Sequence, residues 1–147
     1  MKRRYWNGLI LLTAAFITAA CTGIPRRDRD QEALEQYMKY AGPPVDHITY
    51  LGSYDGWQAV GQYQIVLWAG INDAYLITVN PPCENLRFAQ RIIVTQSANT
   101  IYSKLDAVLV KGWRCQIGEI RPINYLQMRR DLREQRAREK AQRAQGQ

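Results

Sequence analysis

Cysteine is the residue type in this chain with the clearest chemical choices, because thiols bind metals, exchange in redox reactions or form disulfide bridges. The three cysteines are Cys21, Cys83 and Cys115. No two of them form the C-x-x-C spacing of a redox-active pair, and no companion ligands indicate a metal site. In an oxidising compartment an odd number of thiols leaves one over when bridges form. The count therefore implies a separate role for one cysteine.

Other residues with catalytic potential show no recognisable arrangement. His47 is the single histidine, no serine lies in a nucleophile-elbow motif, and the ten glycines fall singly. Five carboxylates in the β-like region could form a glycosidase-like pair, although no spacing favours any two. They are Asp46, Asp55, Asp73, Asp106 and Glu119. We predict no catalytic residues, no metal and no cofactor.

The first twenty residues are typical of a secretory signal. A basic cluster at residues 2–4 precedes an uncharged run over residues 5–20, whose apolar part is residues 9–12 and whose second half is rich in small residues. An uncleaved membrane anchor is the alternative, but it needs about 20 apolar residues, more than this run offers. The pattern predicts export across a membrane.

Residues 18–21, Thr-Ala-Ala-Cys, resemble the lipobox of bacterial lipoprotein precursors, in which small residues precede an acylated cysteine. Ordinary signal cleavage near Ala20 is the alternative interpretation. The resemblance implies lipid on Cys21. The cysteine count agrees with it, since Cys83 and Cys115 then pair in a structural disulfide and no thiol is left over.

The net charge of +7 is not spread over the chain. Residues 21–128 hold ten basic and ten acidic side chains, whereas residues 129–147 hold seven basic and three acidic ones. The body is therefore neutral, and we predict no nucleic-acid partner.

The basic C-terminal tail has pairs of opposite charge at i,i+4 that favour a helix, but no apolar stripe beyond Leu132. We expect a solvated helical or disordered segment. The functional alternative is contact between its arginines and anionic surfaces of the cell envelope. The arginines concerned are Arg129, Arg130, Arg133 and Arg136.

The region before the tail has the pattern of one helix followed by short strands. Apolar residues recur at helical spacing over residues 30–41, on a face formed by Ala33, Leu34, Tyr37, Met38 and Ala41. Strands are expected over residues 45–51, 57–60, 62–68, 74–79, 91–95, 105–110 and 113–120, a helical turn over 85–89, and hairpin turns at 53–56, 70–73 and 111–112. The predicted fold is mainly β (α+β), with an N-terminal amphipathic helix covering a small antiparallel barrel or sandwich of six to seven strands.

Side-chain alternation in the last predicted strand places Trp113, Cys115 and Ile117 on one face. Cys115 then points inward, where it can meet Cys83. Gly118 predicts a β-bulge that returns Ile120 to the core side.

Tyrosine and tryptophan crowd the predicted strands, and in a small domain most of them must belong to the core. The tyrosine-rich segment around Gly56 is the exception that we select. We predict Tyr54, Asp55 and Trp57 as a candidate ligand surface for a sugar or a peptide.

Four stretches form a distinctive series. They are Tyr50-Leu51-Gly52-x-Tyr54-Asp55-Gly56-Trp57, Ala74-Tyr75-Leu76-Ile77-Thr78, Pro82-Cys83-x-x-Leu86-x-Phe88-Ala89 and Cys115-x-Ile117-x-Glu119-Ile120-Arg121-Pro122. Together they resemble an uncharacterised group of small proteobacterial lipoproteins, a domain of unknown function, over roughly residues 31–124. The resemblance implies an exported, disulfide-bonded domain. It implies no activity and therefore no catalytic residues.

The expected organisation is a signal peptide (1–20), a lipid-proximal linker (21–30), a disulfide-bonded β-rich domain (31–124) and a tail (125–147). The lipoprotein resemblance implies the periplasmic face of the outer membrane, because Thr22 stands in place of the aspartate that commonly retains lipoproteins at the inner membrane. We expect a membrane-anchored protein with a non-enzymatic binding or structural accessory role. The alternatives are a carboxylate-dependent hydrolase of envelope glycans and an assembly partner of an outer-membrane machine.

Overall fold

The computed structural model of the protein describes residues 26–50 and 52–146. The predicted signal peptide, the predicted lipidation site Cys21 and the first half of the predicted linker lie outside these residues. Neither of the two described helices combines the length and the hydrophobicity needed to cross a bilayer.

Two helices, one 3₁₀ turn and eight strands make up the described part of the chain. In chain order they are α1 (Arg26–Met38), β1 (His47–Thr49), β2 (Gly56–Ala59), β3 (Gln64–Trp68), β4 (Ala74–Val79), the 3₁₀ turn (Leu86–Phe88), β5 (Ile93–Val94), β6 (Thr100–Tyr102), β7 (Ala107–Val110), β8 (Trp113–Ile123) and α2 (Tyr125–Gln145). The predicted mainly β class is confirmed.

Six of the strands form one curled antiparallel sheet, a half-barrel, in the order β2-β3-β4-β8-β7-β5. β1 and β6 pair separately as a two-stranded sheet. The predicted hairpins β3–β4 and β7–β8 are confirmed, as is the helical turn before β5. The strands of each hairpin are joined by a short turn whose residues are recognisable in the sequence.

The predicted hairpin between residues 45–51 and 57–60 is wrong. β1 pairs with β6, about fifty residues further along the chain, and β2 pairs with β3. Pairing with β6 places Ile48 beside Ile101, and both side chains are buried in the core on the inner face of the half-barrel. The turn signal between the two segments could not reveal this distant partner. β6, at Thr100–Tyr102, is not among the predicted strands.

The bulge predicted at Gly118 is confirmed. Thr78 pairs with Glu119 whereas the next residue, Val79, pairs with Ile117, so that Gly118 is the extra residue on β8. A Cβ at Gly118 would overlap the side-chain oxygen of Asn80, which makes glycine the fitting residue. Beyond the bulge, Ile120 is fully buried.

The sheet buries apolar side chains on both faces. The inner face of the half-barrel carries the larger core, in which Ile65, Leu67, Ile77 and Ile117 are fully buried. On the outer face α1 and α2 cover β3 and β4, and the buried residues there include Tyr37, Val66, Leu76 and Met128. Such burial on both faces explains the nearly continuous apolar runs in β3 and β4.

α1 departs from its prediction at both ends. It begins at Arg26, within the predicted linker, and ends at Met38, whose side chain is 44% exposed rather than part of the core face. The helix stops one turn short of residue 41, so Met38 lies where the chain turns away. Ala41 instead forms a bridge with Ile123 of β8.

α2 is a helix over almost the whole predicted tail. The side chain of Asn124 accepts a hydrogen bond from the Gln127 amide at 3.1 Å and caps its start. Its first two turns pack on the sheet through Tyr125, Met128 and Leu132. Residues 133–146 are all exposed, as expected for a stretch without an apolar stripe.

The docking of α2 predicts a stability difference between two apolar side chains of its first turns. Replacing buried Met128 (4% exposed) by Ala should lower the free energy of unfolding by about 2–4 kcal/mol, because a cavity forms against the sheet. Leu126→Ala is the matched control, since Leu126 is 52% exposed, and should change it by about 0.5 kcal/mol or less. Urea denaturation followed by tryptophan fluorescence measures both. Equal effects of the two substitutions would contradict the docking.

Candidate functional site

The disulfide bridge joins Cys83, on the segment that leaves β4, to Cys115 of β8 across a sequence separation of 32 residues. The two Cα atoms are 5.6 Å apart, and the side chains are 3% and 2% exposed. The bridge belongs to the larger core, beside Ile117 on the same face of β8. The predicted pairing of Cys83 with Cys115 is confirmed.

A cleft of about 200 Å³ lies beside the bridge. Its walls are Pro82, Glu84, Asn85 and Trp113, together with the bridge itself. Alternation along β8 puts Trp113 on the inner face, as predicted, but the residue lies next to the hairpin turn and its side chain is 68% exposed.

The structure separates the three residues of the predicted ligand surface. The Tyr54 hydroxyl donates a hydrogen bond to the carbonyl of Ile92 at 3.0 Å, and Tyr54 packs against the larger core. Trp57 pairs with Leu67 and packs against the same core. Asp55 is exposed. The two rings therefore serve mainly as packing, and Asp55 faces a different surface.

Asp55 lines a shallow depression of about 440 Å³ at the start of α2, with Trp68, Ile71, Tyr125 and Arg129. The Tyr125 ring meets the Trp68 ring edge-on with centroids 6.2 Å apart, and the Arg129 guanidinium lies 5.8 Å from the Tyr125 ring. Among the described residues, the indole N–H of Trp68 is the buried side-chain polar group without a hydrogen-bond partner. Sequence reasoning missed this site because its residues come from separate elements.

Two of the five candidate carboxylates have structural roles. Asp106 is buried, and it accepts hydrogen bonds from the Thr95 hydroxyl at 2.6 Å and the Tyr102 amide at 2.8 Å, which fixes the turn before β7. Glu119 forms an ion pair with Arg121 on the same strand. Among the described residues, no three His, Cys, Asp or Glu side chains are grouped to hold a metal.

Tyr50 anchors the segment that follows β1. Its amide donates to the carbonyl of Asn99 at 3.0 Å, and its hydroxyl donates to the side-chain oxygen of Gln96. Burial raises the pKa of the Tyr50 phenol above its ordinary value of 10.0, and the neighbouring Tyr54 raises it further. The neutral phenol is therefore the form that the fold stabilises.

Residues 1–145 match the model of a family of unknown function, DUF6491. The chain belongs to this family. The match extends beyond residues 31–124, since it includes the N-terminal segment and nearly all of α2. No curated protein and no solved structure matches this member of DUF6491.

The bridge predicts a large loss of stability when its sulfurs are replaced. Because it closes a loop of about thirty residues, the Cys83→Ala/Cys115→Ala variant should lose about 3–4 kcal/mol of unfolding free energy. Urea midpoints with and without reductant measure the loss. Reductant should lower the midpoint of the wild type and leave that of the variant unchanged. A wild-type urea midpoint that reductant does not change would contradict the prediction.

The raised pKa of Tyr50 predicts an alkaline loss of stability. The folded state holds the phenolic proton more tightly than the unfolded state, so this stabilisation is complete below pH 10 and decreases as the pH rises toward the folded pKa. The fall of the unfolding free energy above about pH 10 should be smaller in Tyr50→Phe than in the wild type. Denaturant melts across this range measure it. Parallel curves, offset only by the lost hydrogen bond, would contradict the assignment.

Proposed function

We propose that this chain is a lipid-anchored protein of the bacterial periplasm with a non-enzymatic binding or structural accessory role in the cell envelope. The observation that carries the proposal is the buried bridge between Cys83 and Cys115. Structural disulfides persist in oxidising compartments and are rare in the cytosol. The bridge also uses two of the three cysteines, which leaves Cys21 for another role.

The sequence around Cys21 supports lipid attachment as that role. An export-like segment precedes it, and residues 18–21 have the small-small-Cys pattern of a lipobox. Two or more acyl chains hold a protein stably on a membrane, whereas one does so only marginally. The start of α1 at Arg26 is five positions after Cys21, and five residue steps span at most about 18 Å. The anchor would therefore hold the folded domain close to the membrane.

A binding role is supported by the surface of the β5–β7–β8 half of the sheet. Ile93 is 64% exposed and Leu105 is 71% exposed, and both helices pack elsewhere, against β3 and β4. Ile93 lies opposite Leu109 in the register, and Arg114 donates a hydrogen bond to the carbonyl of Leu105 at 3.3 Å. Exposed apolar side chains on a half of the sheet that neither helix covers support a protein contact there. This observation favours an assembly partner of an outer-membrane machine as the second candidate function.

The anchor is tested by the intact mass of the full chain after expression in a bacterium that processes lipoproteins. We expect a membrane-fraction protein with the mass of residues 21–147, a triacyl group and an oxidised bridge. Cys21→Ser should lack the added acyl mass. Cys83→Ala/Cys115→Ala is the matched control, because it should keep the lipid.

Thr22→Asp tests the outer-membrane location, since the lipoprotein resemblance associates aspartate at this position with inner-membrane retention. We expect the variant to move from the outer to the inner membrane fraction with its acyl mass unchanged. An unmodified Cys21 in the wild-type protein would overturn the anchor. If the wild type and the variant are found in the same membrane fraction, only the proposed outer-membrane location is overturned.

A further inference from the structure

The exposed part of α2 is a charged helical arm without a core contact. Residues 133–146 lie past Leu132, the last residue of the helix that packs on the sheet. Docking of the first two turns fixes the rotation of the helix about its axis. The direction in which each charged side chain of the arm points is therefore set by its spacing from Met128.

Five basic residues of α2 fall on one side of the helix. They are Arg129, Arg133, Arg136, Lys140 and Arg143. Their spacing alternates between four and three residues, which at 3.6 residues per turn confines them to an arc of about 80° along roughly 21 Å of helix. We call this set the cationic stripe. Notably, Arg130 lies off the stripe, while Lys140 and Arg143 extend the group of arginines predicted from the sequence.

The acidic residues of α2 face elsewhere. Asp131, Glu134 and Glu139 line a polar groove of about 550 Å³ between α2 and the end of α1. There Asp131 accepts hydrogen bonds from the Tyr40 hydroxyl and the Gln127 side chain, each at 2.7 Å. The acids of α2 thus lie off the stripe on the groove side, where Lys39 and Arg138 are also found.

The outer four members of the stripe lack protein partners. Within the described residues, Arg133, Arg136, Lys140 and Arg143 form no hydrogen bond or ion pair. The two arginines off the stripe do have partners. Arg130 donates to Gln127 at 2.7 Å, and Arg138 pairs with Glu134 at 3.6 Å. Like charges three and four residues apart repel one another, so a surface with closely spaced negative charges would relieve this repulsion.

We propose that the cationic stripe lies on the anionic headgroups of a phospholipid membrane. The proposal rests on the proposed function, because the lipid anchor holds the domain near such a surface. A planar layer of phosphates complements a straight row of cations, and the attraction extends about one Debye length, ~8–10 Å. The arm has no apolar face and would lie on the headgroups without inserting. A nucleic-acid partner fits less well, since the rest of the described chain is close to neutral.

Vesicle co-sedimentation of the full chain carrying Cys21→Ser tests the stripe without any acyl chain. One set of vesicles is pure phosphatidylcholine, and the other contains one-third phosphatidylglycerol. We expect a preference for the anionic vesicles that disappears in high salt. The basic cluster at residues 2–4 adds to this preference, but it is the same in every variant, so the contribution of the stripe is obtained by comparing stripe variants with this protein.

Two double variants with the same loss of charge separate the stripe from general attraction. Arg133→Gln/Arg136→Gln should weaken binding to the anionic vesicles by about thirtyfold, at about tenfold per 1.4 kcal/mol and about 1 kcal/mol per basic residue near the surface. Arg130→Gln/Arg138→Gln should weaken it by about threefold or less. Circular dichroism checks that both variants keep the helix.

Three results would overturn the proposal: equal weakening by the two variants, no preference for anionic vesicles, and release by low concentrations of inorganic phosphate. The last would indicate a site for free phosphate rather than for a membrane. Absence of the acyl mass on wild-type Cys21 would overturn the anchor and leave this vesicle result unaffected. The two proposals therefore fail separately.

Discussion

Backbone pairing along both edges of β8 is the constraint on which the rest of the structure depends. One edge pairs with β4 over Ile117–Ile123. The other edge pairs with β7 near the hairpin turn, and farther along it accepts hydrogen bonds from the amides of Gly42 at 2.8 Å and Val45 at 2.9 Å. Because β8 is eleven residues long, it holds both halves of the sheet and the segment that leads from α1 to β1.

The bulge at Gly118 lets β8 keep apolar side chains in the larger core both before and after residue 118. Without the extra residue, every side chain after residue 118 would be moved to the opposite face of the sheet. Cys115 and Ile117 before the bulge, and Ile120 after it, are all buried in the larger core. The disulfide then ties the loop after β4 to the first half of β8, where the pairing with β4 has ended. β8 is thus joined to the β4 side of the sheet by the disulfide at Cys115 and by backbone hydrogen bonds from Ile117 onward.

The parts of the fold that were predicted correctly are those with local causes. Turn residues and side-chain alternation determine the β3–β4 and β7–β8 hairpins, the bulge and the inward direction of Cys115. The pairing of β1 with β6 depends on the burial of Ile48 against residues far away in sequence, for which a single chain offers no local signal.

The candidate surface illustrates the same limit at the level of side chains. Aromatic richness around Gly56 correctly marked a crowded region, but the sequence could not assign its rings to the core or to solvent. Register decides the matter: Trp57 lies opposite Leu67 and faces the inner core, whereas Gly56 lies opposite Trp68 on the helix side. The depression near Asp55 depends on where α2 docks, a tertiary contact absent from strand periodicity.

The two parts of α2 are linked physically even though only one is packed. Most of the stability of a helix in a protein comes from tertiary packing, so burial of Tyr125, Met128 and Leu132 supports the exposed turns beyond them. The same burial fixes the helix rotation. A shift of one residue in the docking register would turn the arm by about 100° and exchange the groove side for another face. The apolar contacts of the first two turns therefore determine where the row of cations points, although none of the outer four cations touches the core.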